Sequence, residues 1–181
     1  MSGPSDLEAL VRGYTPDGDG WSHELALGVV SNGRPMWPRS EFDPGHFTAS
    51  GFVVSPDGGS LLLIHHGKLD RWLQPGGHIE VGDATVEVAA RREVLEETGV
   101  GALARIGESL VRIDAHEIPE RGTEPEHLHL DLGLGFVAQT LEIGPIAEVL
   151  DAKWVPIGDL GMFGADDALL AGAEVVGRMC R

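Results

Sequence analysis

A chain of 181 residues, 42% hydrophobic and 23% charged, holds enough apolar material for one packed domain and is too rich in it to be disordered. Its formal net charge of −16 excludes the basic surface that a nucleic acid polymer requires. A small anionic substrate remains compatible if divalent cations stand between the acids and the anion. Apolar runs such as Leu61–Ile64 are far shorter than the ~18 residues of a membrane helix, so no membrane association is expected. Met1 to Asp6 do not read as a secretory signal, because no basic region precedes an apolar stretch. The single cysteine, Cys180, has no partner for an internal disulfide and fits a cytoplasmic setting.

In chain order, a short helix is expected over Ser5 to Arg12, with Ser5 or Asp6 as its cap. Turn-rich segments follow at 15–20, 31–33 and 36–38. Residues 1–45 are read as an extension packed on or capping the core, or forming a dimer contact, and 46–181 as the main domain. Within that domain, Phe47 to Val54 and Ser60 to His65 read as strands around the turn Ser55-Pro56-Asp57-Gly58-Gly59. Trp72 to Gln74 is a short extended piece leading into Pro75-Gly76-Gly77. Residues 84–98 form the clearest helix, with Gly99 as its left-handed cap. Arg105 to Ile113, Glu126 to Ala138 and Ala152 to Pro156 read as further strands, before a terminal helix from Asp159 or Asp166 to Arg178. The pattern is mixed α/β.

The helix carries the chemistry. At about 100° per residue, Glu93 and Glu97 stand one turn apart on one face, with Glu96 beside them. Such spacing costs a few tenths of a kcal/mol per like-charged pair, and Glu96 and Glu97 sit where the helix dipole disfavours negative charge. A hard divalent cation reverses the sign of that balance, since its preferred ligands are carboxylate oxygens. Arg92 is placed to pair with one carboxylate and fix its orientation. The alternative is a solvated acidic face paired with Arg91 and Arg92.

Gly77 to Val100 resembles the Nudix box, G-x5-E-x7-R-E-U-x-E-E-x-G-U, with U aliphatic. Arg92-Glu93-Val94-Leu95-Glu96-Glu97-Thr98-Gly99-Val100 matches its second half throughout. The first half departs: Gly77 and Asp83 keep the first spacing with Asp in place of Glu, and one extra residue separates Asp83 from Arg92. The flanks, Trp72-Leu73-Gln74-Pro75-Gly76-Gly77 and Lys153-Trp154-Val155-Pro156, are also similar to the family's. The resemblance covers about residues 46 to 160. It implies a Nudix-type α/β/α sandwich with a mixed sheet and the loop-helix box.

The same resemblance implies a hydrolase that cleaves a diphosphate linkage with Mg2+, or Mn2+ in its place. Its metal ligands would be Glu93, Glu96, Glu97 and a Gly77 backbone oxygen, with Arg92 orienting a glutamate. The base would be a box glutamate or a later acid, for which Glu148 is the best placed. The expected substrate is a small phosphorylated metabolite, such as a nucleoside diphosphate derivative; a homodimer is a further expectation.

Outside the box, His127, His129 and Asp131 share one face of an alternating strand. They either face water or line the substrate cleft together with His78; His116, His65 and His66 are further candidates for that cleft. Two histidines so spaced reach one metal from a strand, but the sequence identifies no third ligand for zinc. Lys68 and Arg71 are candidate phosphate contacts, and Trp21 or Trp37 candidate elements over the cleft. Trp72 and Trp154 read as structural. Two other readings stand beside hydrolysis. One is a non-catalytic nucleotide-binding module of the same fold. The other is an isopentenyl diphosphate isomerase, whose internal catalytic cysteine has no counterpart at Cys180.

Overall fold

The computed structural model describes residues 3–18, 20–34, 36–146 and 149–180. Two helices, α1 (Leu7–Gly13) and α2 (Trp21–Ser31), precede the strands β1 (Gly45–Val54), β2 (Ser60–His66), β3 (Arg71–Leu73) and β4 (Gly76–His78). Helix α3 (Val86–Thr98) follows, then β5 (Leu103–Arg105), β6 (Arg112–Ile118), β7 (His127–Ala138) and β8 (Asp151–Pro156). A 3-10 turn (Ile157–Phe163) leads into α4 (Asp167–Met179). No helix among the described residues is long and apolar enough to cross a membrane.

All strands join one mixed, 8-stranded sheet. Its centre is the parallel pair β1 and β7, in register from Gly45↔Leu128 to Val54↔Val137. β6 and β5 both pair with β7. β2 meets β1 at Val54↔Leu61 and also pairs with β3 and β8, while β4 pairs with β1 over Thr48 to Ser50. Residues 71–78 therefore pass from β2 to β1, which carries the Gly-Gly turn to the middle of the sheet.

Alternation along β1 divides the core. Phe47, Ala49 and Val53 pack into one cluster with Val11 of α1, Ala26 and Val29 of α2, and Val86, Ala89, Ala90 and Val94 of α3. Phe52 and Val54 face the other cluster, with Leu169, Ala173 and Val176 of α4. This is the expected α/β/α sandwich. Phe47, Phe52 and Phe136 are fully buried, each contributing roughly 2–3 kcal/mol of apolar transfer.

Several expectations need correction. Helix α2 falls between two segments read as turns, in a stretch for which no element is expected, although Leu25, Ala26, Val29 and Val30 carry helical spacing. The strand expected over Arg105 to Ile113 is instead two strands flanking a loop, because 107–110 hold a positive-φ Gly107 and polar residues. Trp37 is buried in the first core cluster and is not a cleft element. Trp154 packs against that cluster and donates its Nε1–H to the Leu141 carbonyl (3.0 Å). Asp6 occupies the cap position of α1 without capping it. Its carboxylate instead accepts the Val86 backbone N–H at the start of α3 (2.8 Å).

Helix α3 is capped at both ends. The Thr85 hydroxyl oxygen accepts the Val88 N–H (3.1 Å). Gly99 closes the helix at φ 68°, its N–H bonded to the Leu95 carbonyl. A Cβ at Gly99 would lie 2.5 Å from the Gly144 Cα. Gly122 has a similar φ of 64° but open space around it. Gly122→Ala is expected to cost about 1–2 kcal/mol from conformation alone. Gly99→Ala should cost clearly more, since a backbone neighbour must also move. Urea unfolding of the two variants checks this; equal losses would mean that the contact with Gly144 carries no energy.

Candidate active site

Val86, Ala89, Ala90 and Val94 form the apolar stripe of α3. Glu93 and Glu97 continue that stripe towards the helix C-terminus, and Glu97 is only 9% exposed. A carboxylate in such a position must be met by donors. Glu97 Oε2 accepts the backbone N–H of Gly76 on β4 (2.9 Å). Glu93 lies against the next residue: a Cβ on Gly77 would stand 2.8 Å from its carboxylate. Only glycine lets the strand approach that closely.

The box is tied together by Arg92. Its Nη2 donates to Asp83 Oδ2 (2.9 Å) and to the His78 carbonyl (2.9 Å). Its Nη1 donates to Glu93 Oε1 (2.8 Å) and Glu96 Oε2 (3.1 Å). Burial works against the guanidinium charge, but the hydrogen bonds and fields of Asp83 and Glu93 outweigh it and raise its pKa. Asp83 sits in the loop before α3, with its carboxylate also accepting the Glu80 N–H (2.8 Å). The extra residue of the box is thus absorbed between Asp83 and the helix, and Asp83 keeps an anchoring contact. Burial raises the pKa of Glu93, opposed by Arg92, with Glu96 and Glu80 adding to the rise.

The donor set suits a hard cation. The carboxylates of Glu93 and Glu97 reach the Gly76-Gly77 turn, and Glu96 is held beside Glu93 through Arg92. Glu96 is the open member, its side chain 55% exposed.

The opposite face of the sheet carries a polar ladder. Parallel register sets His46 beside His129 and Thr48 beside Asp131, and β6 sets His116 and Asp114 on the other side of the same two residues. Buried Asp131 accepts the hydroxyls of Thr48 (2.9 Å) and Ser50 (2.5 Å), and burial raises its pKa. His46, His127, His129 and His78 gather at the end of this ladder, with ring centroids 4.7 Å apart for His46 and His129 and 5.1 Å for His78 and His129. His46 is the member that the sequence reading missed. It lies just before the expected strand, and only its pairing with β7 reveals its neighbours.

Other candidates fall elsewhere. His65 stacks on Trp72 (5.0 Å) and pairs with Asp70, and His66 closes the turn after β2 by accepting the Leu69 N–H. Lys68 is exposed in that turn, and Arg71 pairs with Asp166 at the start of α4 (2.9 Å). Glu148 lies outside the described residues.

The sequence model of the NUDIX domain matches residues 45–174. A protein of Bacillus subtilis (strain 168) named "Putative 8-oxo-dGTP diphosphatase" is 32% identical over 120 residues, 65% of this chain and 72% of that protein. A NUDIX-family hydrolase from Clostridium perfringens superposes with a TM-score of 0.51 at 27% identity, covering 74% of this chain and 95% of its own. The NUDIX domain of Shewanella oneidensis NrtR, solved with ADP ribose, gives a TM-score of 0.56 at 19% identity, covering 75% and 88%, and so shares the fold. With the box geometry in place and the domain matched over most of its length, the chain belongs to the NUDIX family and is a Nudix hydrolase.

Proposed function

We propose that the chain hydrolyses a phosphoanhydride linkage in a nucleoside diphosphate derivative, giving a nucleoside monophosphate and a second phosphate product. The observation that carries this reading is the set of contacts that gathers the box acids: Arg92 holds Asp83, Glu93 and Glu96, while Glu97 accepts the Gly76 N–H and Glu93 lies against Gly77. The similarity to the Bacillus subtilis protein supports a nucleotide as the substrate class. Glu93, Glu96, Glu97 and a Gly77 backbone oxygen would hold Mg2+ or Mn2+. Such a cation, when bound, neutralises diphosphate oxygens and makes a nearby water more acidic.

The chain's own groups then divide the work. Gly76 N–H holds Glu97 in place, and Arg92 holds Glu93 in place. Arg92 is fully engaged by Asp83, the His78 carbonyl and the two glutamates, so it orients and does not bind substrate. Glu96 has a carboxylate open to solvent and takes the proton of the attacking water. Asp131, fixed by Thr48 and Ser50, lies on the opposite face of the sheet from the box glutamates and is left out of this assignment.

A panel of nucleoside diphosphate derivatives and nucleoside triphosphates, incubated with and without Mg2+, tests the activity by product identification. Metal-dependent release of a nucleoside monophosphate is expected; its absence across the panel removes the proposal. Glu97→Gln keeps the side-chain shape and removes a charge. Losing several kcal/mol of charge stabilisation should lower turnover more than about 100-fold, with the circular dichroism spectrum unchanged. Rates like those of the unaltered chain would contradict the assigned role. Gly77→Ala should shift the Glu93 carboxylate while leaving the backbone conformation allowed. Turnover is expected to fall about tenfold or more, with a thermal midpoint within a few degrees of the original; a fully active variant would show that the close approach is dispensable.

A further inference from the structure

The polar end of the sheet holds a group of side chains that the hydrolase box does not use. One nitrogen from each of His46, His127 and His129 lies within 4.8 Å of the others. His46 is 0% exposed. Its Nδ1 is within 2.9 Å of the Glu41 carbonyl, so that nitrogen carries the proton and donates. Its Nε2 is buried with no hydrogen-bond partner. A fully buried imidazole nitrogen with a free lone pair loses its hydration without compensation. His127 is oriented in the same way, its Nδ1 donating to the Pro125 carbonyl (2.7 Å). Backbone carbonyls that fix the Nδ1–H tautomer and turn Nε2 inward are the usual support of a metal-bound histidine.

We propose that His46, His127 and His129 form a second metal site, selective for zinc-class transition ions and separate from the oxygen-donor site of the box. Imidazole nitrogens suit zinc, nickel, copper and iron, whereas magnesium prefers oxygen ligands and retains its waters. Nitrogens about 2.0–2.1 Å from a tetrahedral zinc stand roughly 3.3 Å apart, so the three rings need close by no more than about 1.5 Å. His78 borders the site, with ring centroids 5.2 Å from His46 and 5.1 Å from His129. The His78 carbonyl accepts a hydrogen bond from Arg92 (2.9 Å), which joins the histidine site to the box through β4.

The test uses the full chain, free of any affinity tag and stripped with a chelator. Zn2+ is titrated by competition with a chromophoric chelator, and Co2+ is followed by its visible absorption. One equivalent of Zn2+ per chain is expected, not displaced by excess Mg2+, with a Co2+ spectrum of low-coordinate nitrogen ligation. The variants His127→Ala and His129→Ala should weaken Zn2+ binding about 100-fold or more. His46→Ala opens a cavity in the sheet, so His129→Asn, checked by circular dichroism, provides a gentler third variant. A double variant Glu93→Gln, Glu97→Gln should still bind one Zn2+, which separates this site from the proposed hydrolytic one. Zn2+ binding that is absent, unaffected by the histidine variants, or lost with the glutamates would overturn the proposal. So would inorganic phosphate binding at the histidines in place of zinc.

Discussion

The geometry of the active-site region depends on one guanidinium placed among acids. Among the described residues, Arg92 is the only cation set against Asp83, Glu93 and Glu96 at hydrogen-bonding distance, and Glu97 stands one turn further along the helix. Its planar fork reaches these groups and a backbone carbonyl at once, which the single ammonium of a lysine cannot reproduce. One guanidinium thus offsets part of the mutual repulsion of Asp83, Glu93 and Glu96 and fixes their positions. The cost falls on a helix whose last turn contains no basic residue, in conflict with its own dipole. Capping at both ends and a buried apolar stripe compensate.

How much of this could be read beforehand follows from the range of each interaction. The run from Arg92 to Val100 and the helix carrying it are local features, and the sequence places them correctly. The partners of the box are not local. An added residue disturbs the spacing between Asp83 and Arg92, and only the folded loop shows that the carboxylate still reaches the arginine. The short strand Gly76–His78 reads as a loop, since two glycines have no strand propensity. Its pairing with β1 is imposed by the sheet. His46 is invisible for the same reason: parallel pairing joins residues 83 positions apart, His46 with His129, and no periodicity in either segment reports the other.

The two faces of the sheet show opposite solutions to the burial of polar groups. On the side of α3, oxygen donors are held apart from each other by a positive charge. On the far side, hydroxyls of Thr48 and Ser50 neutralise the demand of Asp131, and the histidines beyond it are supported by backbone carbonyls. Ligand hardness would distinguish the two proposed sites, so magnesium and a transition ion need not compete. β4 contributes to both, with Gly76 and Gly77 on one and His78 on the other. Movement of that short strand would be felt on each side.

The reach of Asp6 to the first N–H of α3 redraws the boundary of the working unit. Ser5 adds to the tether, its N–H and hydroxyl both bonding the Ala84 carbonyl. The matched family span starts only at residue 45, yet a negative charge supplied from position 6 seats the helix on which the glutamates ride. The seating of α3 is therefore partly written some eighty residues upstream of the helix itself, so a change at Asp6 is felt at the start of the box helix.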